Sequence, residues 1–491
     1  MSSQVRALNI SHVRPVQTAG PSPPFQVEHK LSFMDLFQIS KTIQRLFFFD
    51  GPDLPPFPSV VSVLRSSLAA TLAVFLPLAG ELAYRPDTGD VVIDSSSSSS
   101  TGVKFVEAEF AGGADAMRRL ARDDAHDAEA FARLVPALDA GSLPAPVLAV
   151  QVTRPADGGA AVAVGVSIRH AVADGHAVWH FLRAWSEASR EGPGSLAAPA
   201  FVRPTFDRAG IRHPRSAEIA RVALNKVAPA LPLLRSTSSN PKPEIVPQSG
   251  ITFLLRADEI RLLKQHILDE QSRTTTNLGG EPCKPPSTYV AVSSLAWASI
   301  VRAKHLATMA DADETHLMVV ADCRNRLRPP LGDGFFGNCV KPCVARAGAG
   351  DMRGESGVAV AAAAIRGAIR AGLEELGGDP LADAEGWAGR HGSTPPERVV
   401  AVASSNRFMA YGTDFGWGAP SRVELVSSFV RQMVTLLGAR DGAVQVSVVL
   451  DVADMDAFAA SFGAFASRFG GDMAAAGTGT GGVVPLTSKS R

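Results

Sequence analysis

Four cysteines are too few to build a disulfide framework in a chain of 491 residues, and their scarcity fits a reducing compartment. Nor is there an excess of charge: 48 Lys and Arg balance 48 Asp and Glu. A neutral chain has no field to draw nucleic acid or an anionic membrane as its main partner. No apolar stretch approaches the ~20 residues that cross a bilayer. The opening MSSQVRALNISHVRPVQ is polar and has no signal-peptide core, and the final SKSR is not a peroxisomal address. A cytoplasmic location is the expectation. G-x-S-x-G elbow, P-loop and C-x-x-C pair are all missing. An enzyme with this sequence has no recognisable covalent nucleophile and would use a general base to activate a substrate's own nucleophile.

Apolar material is ample, at 46% of residues against 20% charged, and the length predicts two domains. Short apolar runs such as PVLAVQVTR, AAVAVGVSI, THLMVVADC, RVELVSSFV and AVQVSVVLDV read as strands. Between them FPSVVSVLRSSLAATLAVF, STYVAVSSLAWASIVRAKHLA and GVAVAAAAIRGAIRAGLEEL carry helical patterns. The class is mixed α/β. Pro, Ser and polar residues concentrate between Ala200 and Gly250, the expected crossing between domains. The serine run ending at Ser100 and the stretch QSRTTTNLGGEPCKPP read as exposed loops. A G-x-G-x-x-G match at Gly477, Gly479 and Gly482 follows no strand and opens no helix, which argues against a dinucleotide site.

One turn stands out. The strand AVAVGVSIR runs into His170, Asp174 and Gly175 follow, and a helix begins in which Trp179, Leu182 and Trp185 share a face. Functional side chains are often presented on such strand-to-helix turns. H-x-x-x-D is short enough to arise by chance in a chain with 11 histidines, so spacing alone does not decide. A metal reading competes, because His176 and His180 are four apart on the helix, but no nearby Cys, Glu or Asp completes a ligand set. Cys339 and Cys343, with three residues between them and no second pair, read as buried thiols rather than a zinc site. No metal site is expected.

A second stretch, YGTDFGWGAP from Tyr411 to Pro420, changes the balance. HAVADG and DFGWG together, in this order, resemble the two signature motifs of the plant BAHD acyl-CoA-dependent acyltransferases. LSFMDLF, FLPLAGELAY, STYVAVSSLAWASIVRA and ADCRNRLRPPL resemble further segments of that family, so the likeness covers nearly the whole chain. It implies two chloramphenicol-acetyltransferase-like domains with a solvent channel between them. The expected boundaries are 1–205 for the first domain, with roughly 411–434 returning to it, 206–250 for the crossover, 251–473 for the second domain and 474–491 for a flexible tail. His170 would face the channel, with acyl-CoA entering from one mouth and the acceptor from the other.

His170, as neutral imidazole, would take the acceptor's proton, for which an ordinary pKa near ~6.5 suits neutral pH. Asp174 would fold back to fix the loop, pairing by resemblance with Arg324 first and Arg326 second. Asp414 would be structural or indirectly catalytic. Gly416 and Gly418 would permit a tight backbone, and the Trp417 N–H would either meet the developing oxyanion or belong to a core aromatic. Ser287 and Thr288, before a strongly helical run, would contact CoA phosphate at a helix N-terminus or cap the helix. Acyl-CoA is the expected co-substrate, with no bound cofactor. The expected partners are that donor and a small-molecule acceptor, with no nucleic acid or membrane, the chain acting as a monomer.

Phe336 to Cys339 resembles the YFGNC segment of the branch that acylates sugar hydroxyls of anthocyanins and other phenolic glycosides, and QRLFFFD also looks like that branch. Malonyl transfer to a glycoside hydroxyl is therefore the expected activity. A hydroxycinnamoyl or other aromatic donor, or N-acylation of an amine such as agmatine, tryptamine or a polyamine, is the alternative. Ala419 stands where the branch often has lysine, which loosens the donor assignment. Reading a malonyl carboxylate needs a cation, and no residue in the sequence identifies itself as that cation. A non-enzymatic binding relative would be favoured by loss of His170 or Trp417, and both are present.

Overall fold

In the computed structural model, the described residues are 5–16, 27–96, 101–138, 141–234, 247–276, 284–306, 308–375, 377–390 and 394–470. Two six-stranded sheets dominate. The first runs in the order β1 (Val5–Val13), β6 (Val103–Phe110), β8 (Leu148–Pro155), β9 (Ala161–Arg169), β3 (Thr42–Asp50) and β14 (Arg422–Leu425). The second runs β10 (Gln248–Leu255), β16 (Val444–Asp451), β15 (Met433–Gly438), β13 (Val399–Met409), β11 (Glu314–Asp322) and β12 (Val340–Gly348). A small third sheet holds β2 (Glu28–Lys30), β5 (Asp90–Asp94), β4 (Glu81–Arg85) and β7 (Ala145–Pro146).

Every residue of β9 is buried, as expected of a strand covered on both faces. On one face lie α2 (Phe57–Val74) and α5 (Gly175–Glu191), in the core built around Phe47, Leu64, Trp179 and Trp185. On the other lie α3 (Gly113–Arg122) and α4 (Ala128–Leu134), with Leu46, Phe48 and Phe131. The approach of α4 requires a glycine at Gly165, where a Cβ would collide with the Leu134 carbonyl. Over 18 residues α2 reaches a mean hydropathy of 1.5, a bilayer span by length and composition. That is an exception to the sequence expectation, and its Val60, Leu64, Leu68 and Leu72 point into the first core. In the second domain α7 (Ala257–Thr276), α8 (Thr288–Ala303), α10 (Gly357–Leu373) and α12 (Val452–Gly470) share a core with the strands. Helix α9 (Ala349–Arg353) packs beside them. The loop expected over QSRTTTNLGGEPCKPP is corrected at its start. Gln271 to Thr276 continue α7, and Gln271 Nε2 donates to the Ala359 carbonyl at 2.9 Å.

Strand β14 comes from the end of the chain but pairs antiparallel with β3, Arg422 opposite Phe48. The segment returning to the first domain ends sooner than 434, because Met433 already opens β15 in the second sheet. Where it is described, the crossover 206–250 is anchored just before its start and carries a helix. Thr205 N–H donates to the Gly334 carbonyl and Phe336 N–H to the Thr205 carbonyl, both at 2.8 Å. Helix α6 (Ser216–Val227) then supplies Ile219 to a third core, with Phe33 of α1 (Phe33–Leu36), Cys323, Phe335 and Trp387 of α11 (Trp387–Arg390). That core contains residues from both domains. The proposed tail, with the G-x-G-x-x-G match, and most of the serine run lie outside the described residues.

Candidate active site

Strand β9 ends at Arg169, and His170 is held by its backbone: its N–H donates to the Lys41 carbonyl at 3.0 Å, and its own carbonyl accepts from Asn338 Nδ2 at 2.8 Å. The imidazole lies at the seam of the domains, edge to face with Phe429 at 5.6 Å between centroids. Its Nδ1 is buried without a hydrogen-bond partner. Burial, chiefly, and the Lys41 charge push its pKa down to about 4, against an opposing pull from Asp174. At neutral pH the ring is uncharged and its base is free.

Asp174 turns away from the imidazole. One oxygen caps α5 by accepting from Ala177 N–H at 3.1 Å and also accepts from Arg324 Nη2 at 2.9 Å. The other accepts from Cys339 N–H at 3.0 Å. Burial alone would raise its pKa, but the Arg324 charge and these hydrogen bonds hold it below the ordinary carboxylate value. Arg324, itself buried, also donates to the Gly337 carbonyl at 3.1 Å. Arg326 instead donates to the Asp322 carbonyl. The first-choice partner of Asp174 is the one the structure brings to it, so the carboxylate is a positioning group rather than a catalytic one.

Three residues of this frame carried no assigned role in the sequence. Asp35, fully buried, accepts from Asn338 N–H and Nδ2, each at 2.9 Å, and from Arg208 Nε at 3.0 Å. Arg208 Nη2 reaches the Val172 carbonyl at 3.3 Å. Asp35, Arg208 and Asn338 thus clamp the His170 turn from three distant segments. The signal was present in LSFMDLF, where Ser32 and Asp35 form a capping box, but such a box reads as a local helix start.

The DFGWG turn does not join this group. Asp414 Oδ1 accepts from Gly416 N–H at 2.8 Å and Gly418 N–H at 2.9 Å, and both glycines have positive φ, +112° and +96°. Ser189 near the C-terminus of α5 donates to the Phe415 carbonyl at 2.7 Å, and Phe415 packs on Trp185 at 4.9 Å. Trp417 stacks on Phe415 and meets Phe49 edge-on. His170 lies beyond the other end of α5. From Gly175 to Ser189 the helix rises ~21 Å, so a Trp417 N–H contact with an oxyanion beside His170 is corrected: the turn braces the far end of the helix. Of the two roles expected for Asp414, structural or indirectly catalytic, its contacts fit the structural one, since Oδ1 is used within the turn.

Ser287 is the N-cap of α8, its side chain accepting from Val290 N–H at 3.2 Å, and Thr288 opens that helix. His176 and His180 hydrogen-bond separate carbonyls, of Asp333 and Val202. Among the described residues no three His, Cys, Asp or Glu form a metal-binding group. Cys323, Cys339 and Cys343 are buried free thiols whose pKa values burial raises.

Two sheets of like layout, tied by an exchanged strand and meeting at a neutral histidine, define a two-domain acyltransferase of the chloramphenicol-acetyltransferase type. The architecture is shared with vinorine synthase, whose crystal structure aligns with a TM-score of 0.67 at 20% identity over 92% of this chain and 96% of that one. The model of the Transferase family matches residues 13–464, and the chain belongs to that family, the BAHD acyltransferases. It is 29% identical over 481 residues to a malonyl-CoA:anthocyanidin 5-O-glucoside-6''-O-malonyltransferase of Arabidopsis thaliana, covering 93% of this chain and 98% of that one. It is 30% identical over 410 residues to a hydroxycinnamoyl-CoA:5-hydroxyanthranilate N-hydroxycinnamoyltransferase of Avena sativa, covering 80% and 84%.

Proposed function

We propose that the enzyme moves a malonyl group from malonyl-CoA to a hydroxyl of a phenolic or flavonoid glycoside, with His170 as general base. The observation that carries the mechanism is a histidine kept neutral by burial, its ring paired with no carboxylate. In this reading the acceptor hydroxyl gives its proton to His170 while its oxygen attacks the thioester carbon. The tetrahedral intermediate collapses, the C–S bond breaks, and the CoA thiolate recovers the proton from the imidazole. No acyl-enzyme is required, because holding both substrates at one seam supplies orientation. The backbone N–H groups at the start of α8 are proposed to meet CoA phosphate.

The donor and acceptor rest on the anthocyanidin glucoside malonyltransferase of Arabidopsis and on a phenolic glucoside malonyltransferase of Bemisia tabaci, 29% identical over 452 residues. The Avena relative supports a second reading, hydroxycinnamoyl transfer to an amine. The test is a matrix pairing malonyl-, acetyl- and coumaroyl-CoA with flavonoid glucosides, simple phenolic glucosides and amines. The expected result is turnover with malonyl-CoA and a glucoside, and a kcat reduced about 10²–10⁴-fold in His170→Ala with donor binding kept. Turnover with amines alone would overturn the acceptor, and turnover with coumaroyl-CoA but not malonyl-CoA would overturn the donor. Near-normal rates in His170→Ala would overturn the base.

A further inference from the structure

Arg45 occupies the interior of β3, opposite Val166 of β9, between Ile43 and Phe47 on the same face. It faces α5: Phe47, two residues on, packs edge-on against Trp179 at 6.1 Å, and the Arg45 guanidinium lies 5.3 Å from the centroid of the same ring. The side chain is 4% exposed. Its Nη2 donates to Ser404 Oγ at 3.3 Å, while Nε and Nη1 have no hydrogen-bond partner among the described residues. Trp179, 2% exposed, also has a buried Nε1–H without an acceptor. Three unfilled donors therefore gather around one buried cation.

Among the described residues no carboxylate forms an ion pair with it. Glu424, whose charge reaches Arg45, is engaged by Arg422 Nε at 2.5 Å, Thr252 Oγ1 at 2.9 Å and Ser447 Oγ at 3.0 Å. Burial pushes the Arg45 guanidinium down to about 10, which leaves it a cation at neutral pH. An unpaired buried charge is strongly unfavourable, so an arginine in such a place implies an anion that completes it. The surroundings are shaped for this. Ser404 has φ of 70°, unusual for a residue with a side chain, and β13 slips register against β15 between Ser405 and Met409. The bulged segment brings Phe408 against Trp179 at 6.3 Å and against Gly175. Bulges of this kind re-aim side chains next to active sites.

Val166 and Ile168 lie on the α5 face of β9, and the strand ends one residue before His170. Four residues of strand, ~13 Å, separate the backbone opposite Arg45 from His170. An extended arginine and a short acyl chain together span that interval. We infer that Arg45, with Trp179 Nε1 and Ser404 Oγ beside it, receives the free carboxylate of a short dicarboxylic acyl-CoA, malonyl-CoA fitting in length. The site rests on the acyl-transfer reading above and names the cation that malonyl recognition needs.

The test compares malonyl-CoA with acetyl-CoA, which differs by that carboxylate, on the purified full chain. Titration calorimetry measures binding of each donor, and transfer to 4-nitrophenyl glucoside measures kcat/KM. The expected result is that the malonyl-to-acetyl ratio, in binding and in kcat/KM, falls about 10²-fold in Arg45→Met, as when a buried charge-assisted pair loses its cation. Arg45→Lys should recover part of the ratio. Trp179→Phe, which removes only the ring N–H, should lower it several-fold and serves if Arg45→Met does not fold. A ratio unchanged in these variants, or a wild-type protein that binds both donors equally, overturns the inference. If the wild-type protein transfers no acyl group from any donor, the transfer reading fails. The binding ratio then still decides whether Arg45 reads a carboxylate.

Discussion

At the scale of single residues, His170 and Asp174 divide the work that a histidine–aspartate pair can share. Asp174 receives three hydrogen bonds from Ala177, Arg324 and Cys339, so Asp174→Asn puts an amide against one of these donors and leaves Arg324 without its buried counter-charge. A loss of about 3 kcal/mol is expected, seen as a lower thermal midpoint together with lower activity. A variant of normal stability and abolished chemistry would instead place Asp174 in proton transfer. The pH dependence follows from both shifts. His170 binds its proton at about 4 in the folded protein and near ~6.5 when unfolded, so the unfolded state takes up more protons between these values. Its contribution is complete above about 6.5 and is lost as pH falls toward 4. The lowered pKa of Asp174 acts in the same direction, its contribution vanishing further into acid. Urea melts at pH 7, 6 and 5 should show falling midpoints, and Asp174→Asn should flatten the acid end.

At the scale of elements, α5 is the rod that sets the site's geometry. Its apolar stripe was legible as a period: Trp179, Leu182 and Trp185 are all buried. Its N-terminus carries the His170 turn and its C-terminus carries the DFGWG turn, so two motifs that look like partners are held about a helix-length apart. Trp417→Phe keeps the aromatic stack and removes the ring N–H. Steady-state kinetics should show kcat within about threefold of wild type, whereas loss of an oxyanion donor costs about 10²–10³-fold. A fall of that size would return Trp417 to the reacting centre. A motif's spacing reports how far apart two segments are along the chain. The rise of the helix between them reports how far apart they are in space.

At the scale of the whole molecule, β14 joins the domains. Glu424, buried beside Arg422 within that strand, receives hydrogen bonds from Thr252 of β10 and Ser447 of β16, and Gln445 Nε2 donates to the Val423 carbonyl at 2.8 Å. The exchanged strand is thereby bonded to both sheets. Glu424→Gln leaves the Arg422 guanidinium buried without its counter-charge, and about 3–5 kcal/mol of stability should be lost, read as a lower urea midpoint. Because Thr252, Ser447 and Gln445 remain around position 424, an unchanged midpoint would mean that the ion pair within the exchanged strand contributes nothing to stability.

Local order was open to reading along the chain. The strand AVAVGVSIR, the helices after it, the mixed α/β class and the turn that presents His170 all follow from side-chain period and capping, which act over a few residues. The pairing of Asp174 with Arg324 was ranked first only through resemblance, and the Asp35–Arg208–Asn338 clamp and the place of Arg45 beside Trp179 and Ser404 did not show there. Each depends on groups from separate segments meeting where water is excluded, and a buried charge or donor is worth several times more there than on a solvated surface. A sequence displays which residues are able to pair. Only the folded packing selects the partners, because it alone fixes which polar groups lose their water together.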